Sequence, residues 1–433
     1  MSKYAHEIRD PIHTFIKLDS DERKVLSARP VQRLRHIHQL AMTSYVYPGA
    51  THCRFEHSLG VMELAGKVFD VITHENHRHD SCRSEYPDPL SLNYWRRVLR
   101  MAALCHDIGH LPFSHAGEGL LKKGECHELI SKNLIESAEM DAIWTGMTPP
   151  LRKEDIVKLA LGPKELKKIS PDINFDTWET ILSEVIVGNT FGVDRMDYLL
   201  RDSLHIGVVY GSFDHYRMIE TLRVLPATEN DNQEPMLGIE KGGIHTAETL
   251  ILARHFMFTQ VYCHPIRRIY DIHLKDFLKK VLDKGRCSVE PEEHLKLTDA
   301  EVISLMRDAA RNTSHPSHKF AKRIIERNHF RCLYETNYKD IEDCSGNPIE
   351  KIFKACCEKF GEENVRKDVY VKEPGFVNFP VLSKSGKIEQ GRFLSKILNE
   401  APLVNINNIF IDKDSYSEAL DWLDKNKSII MNQ

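Results

Sequence analysis

An apolar helix that stops on a histidine and an aspartate constrains this chain more than any other feature. The stretch Met101–His115 reads MAALCHDIGHLPFSH. Its lead-in, Val98, Leu99, Met101, Ala102, Ala103 and Leu104, has helical spacing, and a helix with such a stripe must bury one face. The run ends on His106 and Asp107, a Gly-containing turn follows, and His110 and His115 come next. Imidazole and carboxylate at the buried end of a helix are costly unless something pairs with them. A divalent metal is such a partner, since both groups are ligands of first-row metals. A helix C-terminus closed by an aspartate accounts for the pair equally well, so the rest of the chain has to decide.

At 433 residues, 41% hydrophobic and 28% charged, the chain reads as a globular protein of two or three domains, or one large helical domain with an appendage. A net charge of -4 argues against wholesale coating of nucleic acid but leaves room for a local basic cleft. The 10 cysteines are scattered and form no CxxC pair, so neither a disulfide framework nor a zinc ribbon is indicated. The start, MSKYAHEIRDPIH, has no apolar signal core, and no run is long enough to span a bilayer. The expectation is a cytoplasmic protein without a membrane partner.

In chain order, Tyr4–Leu18 reads as a short hairpin, with Ser20 or Asp21 capping the next helix. Arg29–Leu40 is an amphipathic basic helix whose Arg33 belongs to a solvated face. A Pro48-Gly49 turn precedes Arg54–Gly60 (RFEHSLG), which opens a helix with His57 in its first turn. His74–Asn93 is polar and reads as a surface loop. His127-Glu128 opens a helix to Glu136, and Asp141–Asp172 is helical, interrupted at Pro149-Pro150. Thr177–His205 is one long periodic segment in which Asp194, Tyr198 and Arg201 or Asp202 share a face. Its charge density points to a lined cavity, or to an ion-pair network that ties helices together. Leu237–His245 suggests a strand and turn, Ala247–Leu274 a further long helix. Beyond Lys284 the pattern is that of an α+β lobe, with strands near Val369–Val371 and Ile406–Ile411. The expected fold class is therefore mainly α, a helical core over residues 1–280 with a smaller C-terminal α+β lobe over residues 281–433.

His57, His106-Asp107 and Asp194 form the ordered set H…HD…D. With them stand DPIH (Asp10–His13), QRLRHIHQL (Gln32–Leu40), YPGATHCRFEHSLGV (Tyr47–Val61), CHDIGHLPFSH (Cys105–His115), VDRMDYLLRD (Val193–Asp202) and VYCH (Val261–His264). On these motifs the chain resembles the HD-domain phosphohydrolases, in particular the deoxynucleoside triphosphate triphosphohydrolases of bacteria and vertebrates. The resemblance covers Glu7–Asp271. An HD pair alone is common; RFEHSLG, HDIGHLPFSH and DRMDYLLRD in this order are highly specific.

The resemblance implies one divalent metal (Mn, Fe, Ni, Zn or Mg) on His57, His106, Asp107 and Asp194, with further Mg accompanying the nucleotide. It implies a catalytic cluster of His110, His115, Glu118, His127 and Glu128, in which His115 or His127 protonates the leaving 5′-oxygen. Arg54, Arg195 and Arg254 are implied to neutralise a triphosphate, and Tyr198 to contact it. Gln39 and Asp202 match positions that bond the 3′-hydroxyl, and Leu40 and Tyr262 those that pack on deoxyribose. Gln32 and Arg35 match positions that read a dNTP or GTP activator, although a plain solvated face explains them too. Departures are Arg195, where the family often has Lys, Cys263, where the vertebrate enzyme has Gln near the base, and Ser27, where it has Asp.

The implied function is hydrolysis of dNTPs to deoxynucleoside and inorganic triphosphate by a homo-oligomer, tetramer or dimer, with or without nucleotide activation. One rival keeps the metal site and changes the substrate: a phosphodiesterase or nucleotidase on another phosphate ester. Another is a nucleotide-sensing or single-stranded nucleic-acid-binding protein, permitted by basic clusters at Arg33/Arg35 and Arg267/Arg268 but short of interleaved aromatics.

Overall fold

The structure is a computed structural model that describes residues 6–118, 121, 122, 124–227, 234–282, 287–372, 378–401 and 403–432. It is mainly helical, as the periodicity predicts. No helix among the described residues is long and apolar enough to cross a membrane.

The chain forms two compact units, the first from Met1–Met257, Cys287–Ala300 and Gly375–Ala401, the second from Phe258–Arg286, Glu301–Pro374 and Pro402–Gln433. This differs from a single division at residue 280. One reason is strand pairing: Pro380–Leu382 lies parallel to Pro235–Glu240, with Ile239 opposite Val381. Another is that the expected helix Ala247–Leu274 is two helices, Ile244–Met257 and Pro265–Val281, parted by a π-helical turn at Phe258–Tyr262.

In the first unit, β1 (His6–Asp10) and β2 (Thr14–Leu18) form an antiparallel hairpin. The following helix, Ser20–Leu26, is capped by Asp19 rather than by Ser20 or Asp21, because Asp19 accepts from the Asp21 and Glu22 amides. The basic segment from Arg29 departs from one helix. It is α-helical to Arg33, tightens to a 3-10 turn at Leu34–His36 and is extended at Ile37. Strand-like bonds win there: Arg54 N–H donates to Ile37 O at 2.9 Å and Gln39 N–H to His52 O at 3.0 Å.

The helical core is built on α1 (Arg54–Ile72) and α2 (Pro89–Cys105), which pack against each other. Glu56 closes the start of α1 by accepting the Cys53 amide at 3.0 Å. Asp88 and Pro89 start α2 inside the segment expected as loop. Only the C-terminal half of α2 is inside: Val98–Cys105 is buried without a break, including Arg100, which is paired with Glu22 at 2.6 Å. Burying those apolar side chains stabilises by about 25 cal/mol per Å² removed from water, and it drives the end of the helix into the core.

α3 (Lys153–Ile169) and α4 (Thr177–Val187) pack together, and α5 (Val193–Ile206) crosses α1. The long segment expected from Thr177 therefore breaks at Gly188–Gly192. α6 (Ile244–Met257) follows a mixed sheet in the order Leu222–Pro226, Pro235–Glu240, Pro380–Leu382, Ile388–Gln390.

The second unit holds an antiparallel sheet in the order Arg331–Glu335, Val404–Ile411, Val365–Lys372. Alternation along the central strand decides its two faces. Ile409 and Ile411 join Ile352, Ala419 and Leu423 of the helices Pro348–Phe360 and Tyr416–Asn432. Phe410 on the other face joins Ile269 and Phe330. This is the α+β lobe expected of the C-terminal region.

Candidate functional site

α1 carries His57 in its first turn, the end of α2 presents His106 and Asp107, and α5 presents Asp194 in its own first turn. His57, His106 and Asp107 are buried and Asp194 is half-buried. His57 Nε2 lies 3.1 Å from Asp194 Oδ1 and 3.7 Å from Asp107 Oδ2. His106 Nε2 lies 3.3 Å from Asp107 Oδ1 and 3.6 Å from Asp194 Oδ1, with no hydrogen bond of good geometry. Ligand atoms of His57, His106 and Asp107 all fall within 4.8 Å of one another.

The opposite ring nitrogens explain this aim. His57 Nδ1 is 2.8 Å from Asp197 Oδ2, and His106 Nδ1 is 2.8 Å from the Ala103 carbonyl. Carboxylate and carbonyl oxygens accept, so each Nδ1 carries a proton, and a ring that holds no second proton would offer its lone pair at Nε2 to a cation. Two such nitrogens beside two carboxylates are a donor set that fits a first-row divalent cation.

The electrostatics make the same demand for positive charge. Burial alone would depress the His57 pKa, yet the hydrogen bonds to Asp194 and Asp197 raise it to about 10. Burial would raise Asp107, but Arg54, His106 and His110 hold its carboxyl well below the usual range. Arg54 forms an ion pair with Asp107 and donates from Nε to Ser114 Oγ at 2.9 Å.

Behind His57 stands a buried network. Asp197 accepts from Arg201 Nε at 2.8 Å and Nη2 at 2.9 Å, and its Oδ1 lies 2.7 Å from His13 Nε2. Arg201 Nη1 donates to Asp10 Oδ2 at 2.9 Å. The charges expected along α5 thus divide: Asp194 faces the cluster of His57, His106 and Asp107, while Asp197 and Arg201 tie helices to the hairpin. Gly60 permits this, since a Cβ there would sit 1.9 Å from Asp197 Oδ1.

His110 Nε2 lies 3.2 Å from Asp107 Oδ1, and its ring stacks on His127 with centroids 4.1 Å apart. Burial, with Arg54 and His127 beside it, holds His110 well below the ordinary imidazole value, so the ring is neutral near pH 7. Gly109 lets the helix His127–Ile135 approach: a Cβ there would meet His127 O at 2.3 Å. His127 Nδ1 is 3.4 Å from Glu128 Oε2. The side chains of His115 and Glu118 lie outside the described residues.

Of the expected nucleotide contacts, Tyr198, Arg195 and Arg254 are grouped: burial raises the Tyr198 pKa, and the charges of Arg195 and Arg254 oppose the rise. Arg195 donates to Asn189 Oδ1 at 3.0 Å. Gln39 and Leu40 are buried. Asp202 Oδ1 lies 2.7 Å from His52 Nε2, and the His52 ring stacks on His205 at 4.4 Å. Tyr262 belongs to the second unit, where it packs on Phe258 with centroids 5.0 Å apart. Gln32 donates to Leu26 O at 2.7 Å and accepts from Arg35 Nε at 2.9 Å, while the Arg35 guanidinium lies 3.5 Å over the Phe55 ring.

Arg33 is corrected by the structure. It is 5% exposed, not solvated, because its guanidinium bonds Leu297 O at 2.7 Å and His110 O at 2.8 Å. No role was assigned to His52, and Asp10 and His13 entered as part of the hairpin and of the DPIH motif, without a partner named for either. The spacing of Asp197 and Arg201, four residues apart on a helix, was the available signal for their pairing.

The chain matches the HD domain over residues 54–172 and the HD associated region over residues 213–383. It is 33% identical over 346 residues to an uncharacterised protein of Methanocaldococcus jannaschii, covering 79% of this chain and 62% of that protein. It is 30% identical over 369 residues to the deoxynucleoside triphosphate triphosphohydrolase SAMHD1 of Bos taurus, covering 76% and 58%. The matches thus span about three fifths of those relatives' length. A crystal structure of a hypothetical protein from Aquifex aeolicus superposes with a TM-score of 0.77 at 31% identity, over 96% of this chain and 99% of that one.

Proposed function

The chain belongs to the HD-domain family, and on that premise we propose that it is a metal-dependent phosphohydrolase that converts dNTPs to deoxynucleoside and inorganic triphosphate. The observation that carries this reading is the convergence of His57, His106 and Asp107 within 4.8 Å, with Asp194 beside them. A divalent ion on these four residues supplies Lewis acidity toward a phosphate oxygen.

The side chains around that centre do the remainder. Arg54, Arg195 and Arg254 hold the triphosphate, where planar guanidinium matches phosphate oxygens, and Tyr198 adds a hydroxyl. Water adds to the α-phosphorus as the bond to the 5′-oxygen breaks, and His115 or His127 delivers the proton that the leaving oxygen needs. Neutral His110, stacked on His127, keeps that ring in place, with Glu118 and Glu128 as carboxylate partners. Gln39 and Asp202 bond the 3′-hydroxyl, and Leu40 lines the sugar. Such catalysis relies chiefly on positioning and charge neutralisation. A second nucleotide at Gln32 and Arg35, in a homo-oligomer, is the proposed activator.

The test is product analysis with each dNTP alone and with all four. Deoxynucleoside and triphosphate from single dNTPs support the chemistry without an activator. Products from the mixture alone place one nucleotide in an activating role. Absence of triphosphate in both cases rejects dNTPs and moves another phosphate ester forward.

A further inference from the structure

The turn after the His-Asp pair is held in a conformation that its residues disfavour. Phe113 and Ser114 both have left-handed backbones, with φ of 55° and 58°, which side-chain-bearing residues rarely adopt singly and seldom in succession. Strain of this kind persists only where the surroundings enforce it, and it gathers at functional sites.

The enforcing group comes from far along the chain. Asp299 is 1% exposed, and its Oδ1 accepts the Phe113 amide at 2.7 Å. Its Oδ2 accepts the His38 amide at 2.8 Å and lies 2.6 Å from His38 Nδ1. Ser114 Oγ donates to His38 O at 3.0 Å, so His38 braces both the carboxylate and the turn. Two residues before Asp299, Leu297 O accepts Arg33, whose third nitrogen donates to His110 O. The segment Leu297–Asp299 therefore grips both ends of His110–Ser114, through Arg33 at one and directly at the other.

We propose that Asp299 is a positioning residue of the active site, a latch that holds the left-handed Phe113-Ser114 turn and with it His110 and the backbone start of the helix at His115. His106 lies upstream of the latch and has anchors of its own: its ring bonds Ala103 O, and its carbonyl accepts Ser131 Oγ at 3.3 Å. Releasing the latch should thus disturb turnover without emptying the metal site. The turnover part of this inference rests on the hydrolase reading above; the backbone part does not.

The experiment compares wild type, Asp299→Ala and Asp299→Asn in the full chain by amide hydrogen exchange, metal content and turnover of a dNTP mixture. In Asp299→Ala, exchange over residues 110–117 should rise about tenfold or more and turnover fall about 10- to 100-fold, with metal content near wild type. Asp299→Asn keeps an acceptor for the Phe113 amide and should recover most of the protection. If the alanine variant does not fold, His38→Ala, which removes the ring that braces Asp299 Oδ2, takes its place and should raise exchange over the same residues. Unchanged exchange at 110–117, or exchange raised evenly over the whole first unit, overturns the latch. If the wild type hydrolyses no dNTP, the hydrolase reading fails while the exchange result still judges the latch.

Discussion

His57 Nδ1 and Asp197 Oδ2 lie 2.8 Å apart, both fully buried, with Arg201 holding the same carboxylate from the other side. Asp197 thereby turns His57 Nε2 toward Asp107 and Asp194. Asp197→Asn removes the charge that orients the ring and leaves Arg201 short of a partner. We expect divalent metal affinity to fall about 10- to 100-fold, and stability to drop by about 3–5 kcal/mol as a buried ion pair is broken. Metal titration and chemical unfolding check the two effects; wild-type metal affinity in the folded variant would refute the orienting role.

Gly60→Ala sets helix propensity against packing. Alanine gains about 1 kcal/mol in a helix interior, but its Cβ would stand 1.9 Å from Asp197 Oδ1 and 2.5 Å from Arg201 Nη2. Overpacking at a rigid, fully bonded site costs about 1–3 kcal/mol, and Asp197 has no room to yield. The expected outcome is a lower melting temperature, and a higher one would contradict this packing.

The His38–Asp299 pair should make stability pH-dependent. The hydrogen bond to Asp299 raises the His38 pKa, with burial opposing. A group whose folded pKa is raised contributes fully below its unfolded value, about 6.5, and the contribution fades as pH rises through the folded value. The stability gap between wild type and Asp299→Asn should therefore be widest near about pH 6 and narrower near about pH 9. Urea unfolding across that range measures it, and a constant gap would rule the coupling out.

His52 bears on the sugar. It holds Asp202 at 2.7 Å, and a hydrogen bond to a charged group is worth about 1.5–3 kcal/mol. If Asp202 reads the 3′-hydroxyl, dNTPs should be preferred to 3′-deoxy analogues, and His52→Ala should narrow that preference about tenfold or more. Competition kinetics with a dideoxynucleotide decide it: an unaltered ratio would remove Asp202 from sugar recognition.

The convergence of His57, His106 and Asp107 was legible because each sits in a compact local pattern: His57 at the start of an apolar helix, His106 and Asp107 at the end of another. Arg33 was not legible, because a basic residue on a short amphipathic segment looks solvated until Leu297 and His110 supply buried acceptors. Asp299 was hidden for the same reason, lying 186 residues from the amide it holds. Helix ends were misjudged where a long-range backbone pairing, as at Ile37 and His52, outweighed local periodicity.

Whether turnover needs a metal held by His106 and Asp107 is decided by metal-stripped wild type and a His106→Ala, Asp107→Ala variant, assayed side by side on the four dNTPs before and after adding divalent metal. Triphosphate release should return with metal in the wild type alone. Equal release from both proteins, or full release from the stripped wild type, would contradict it.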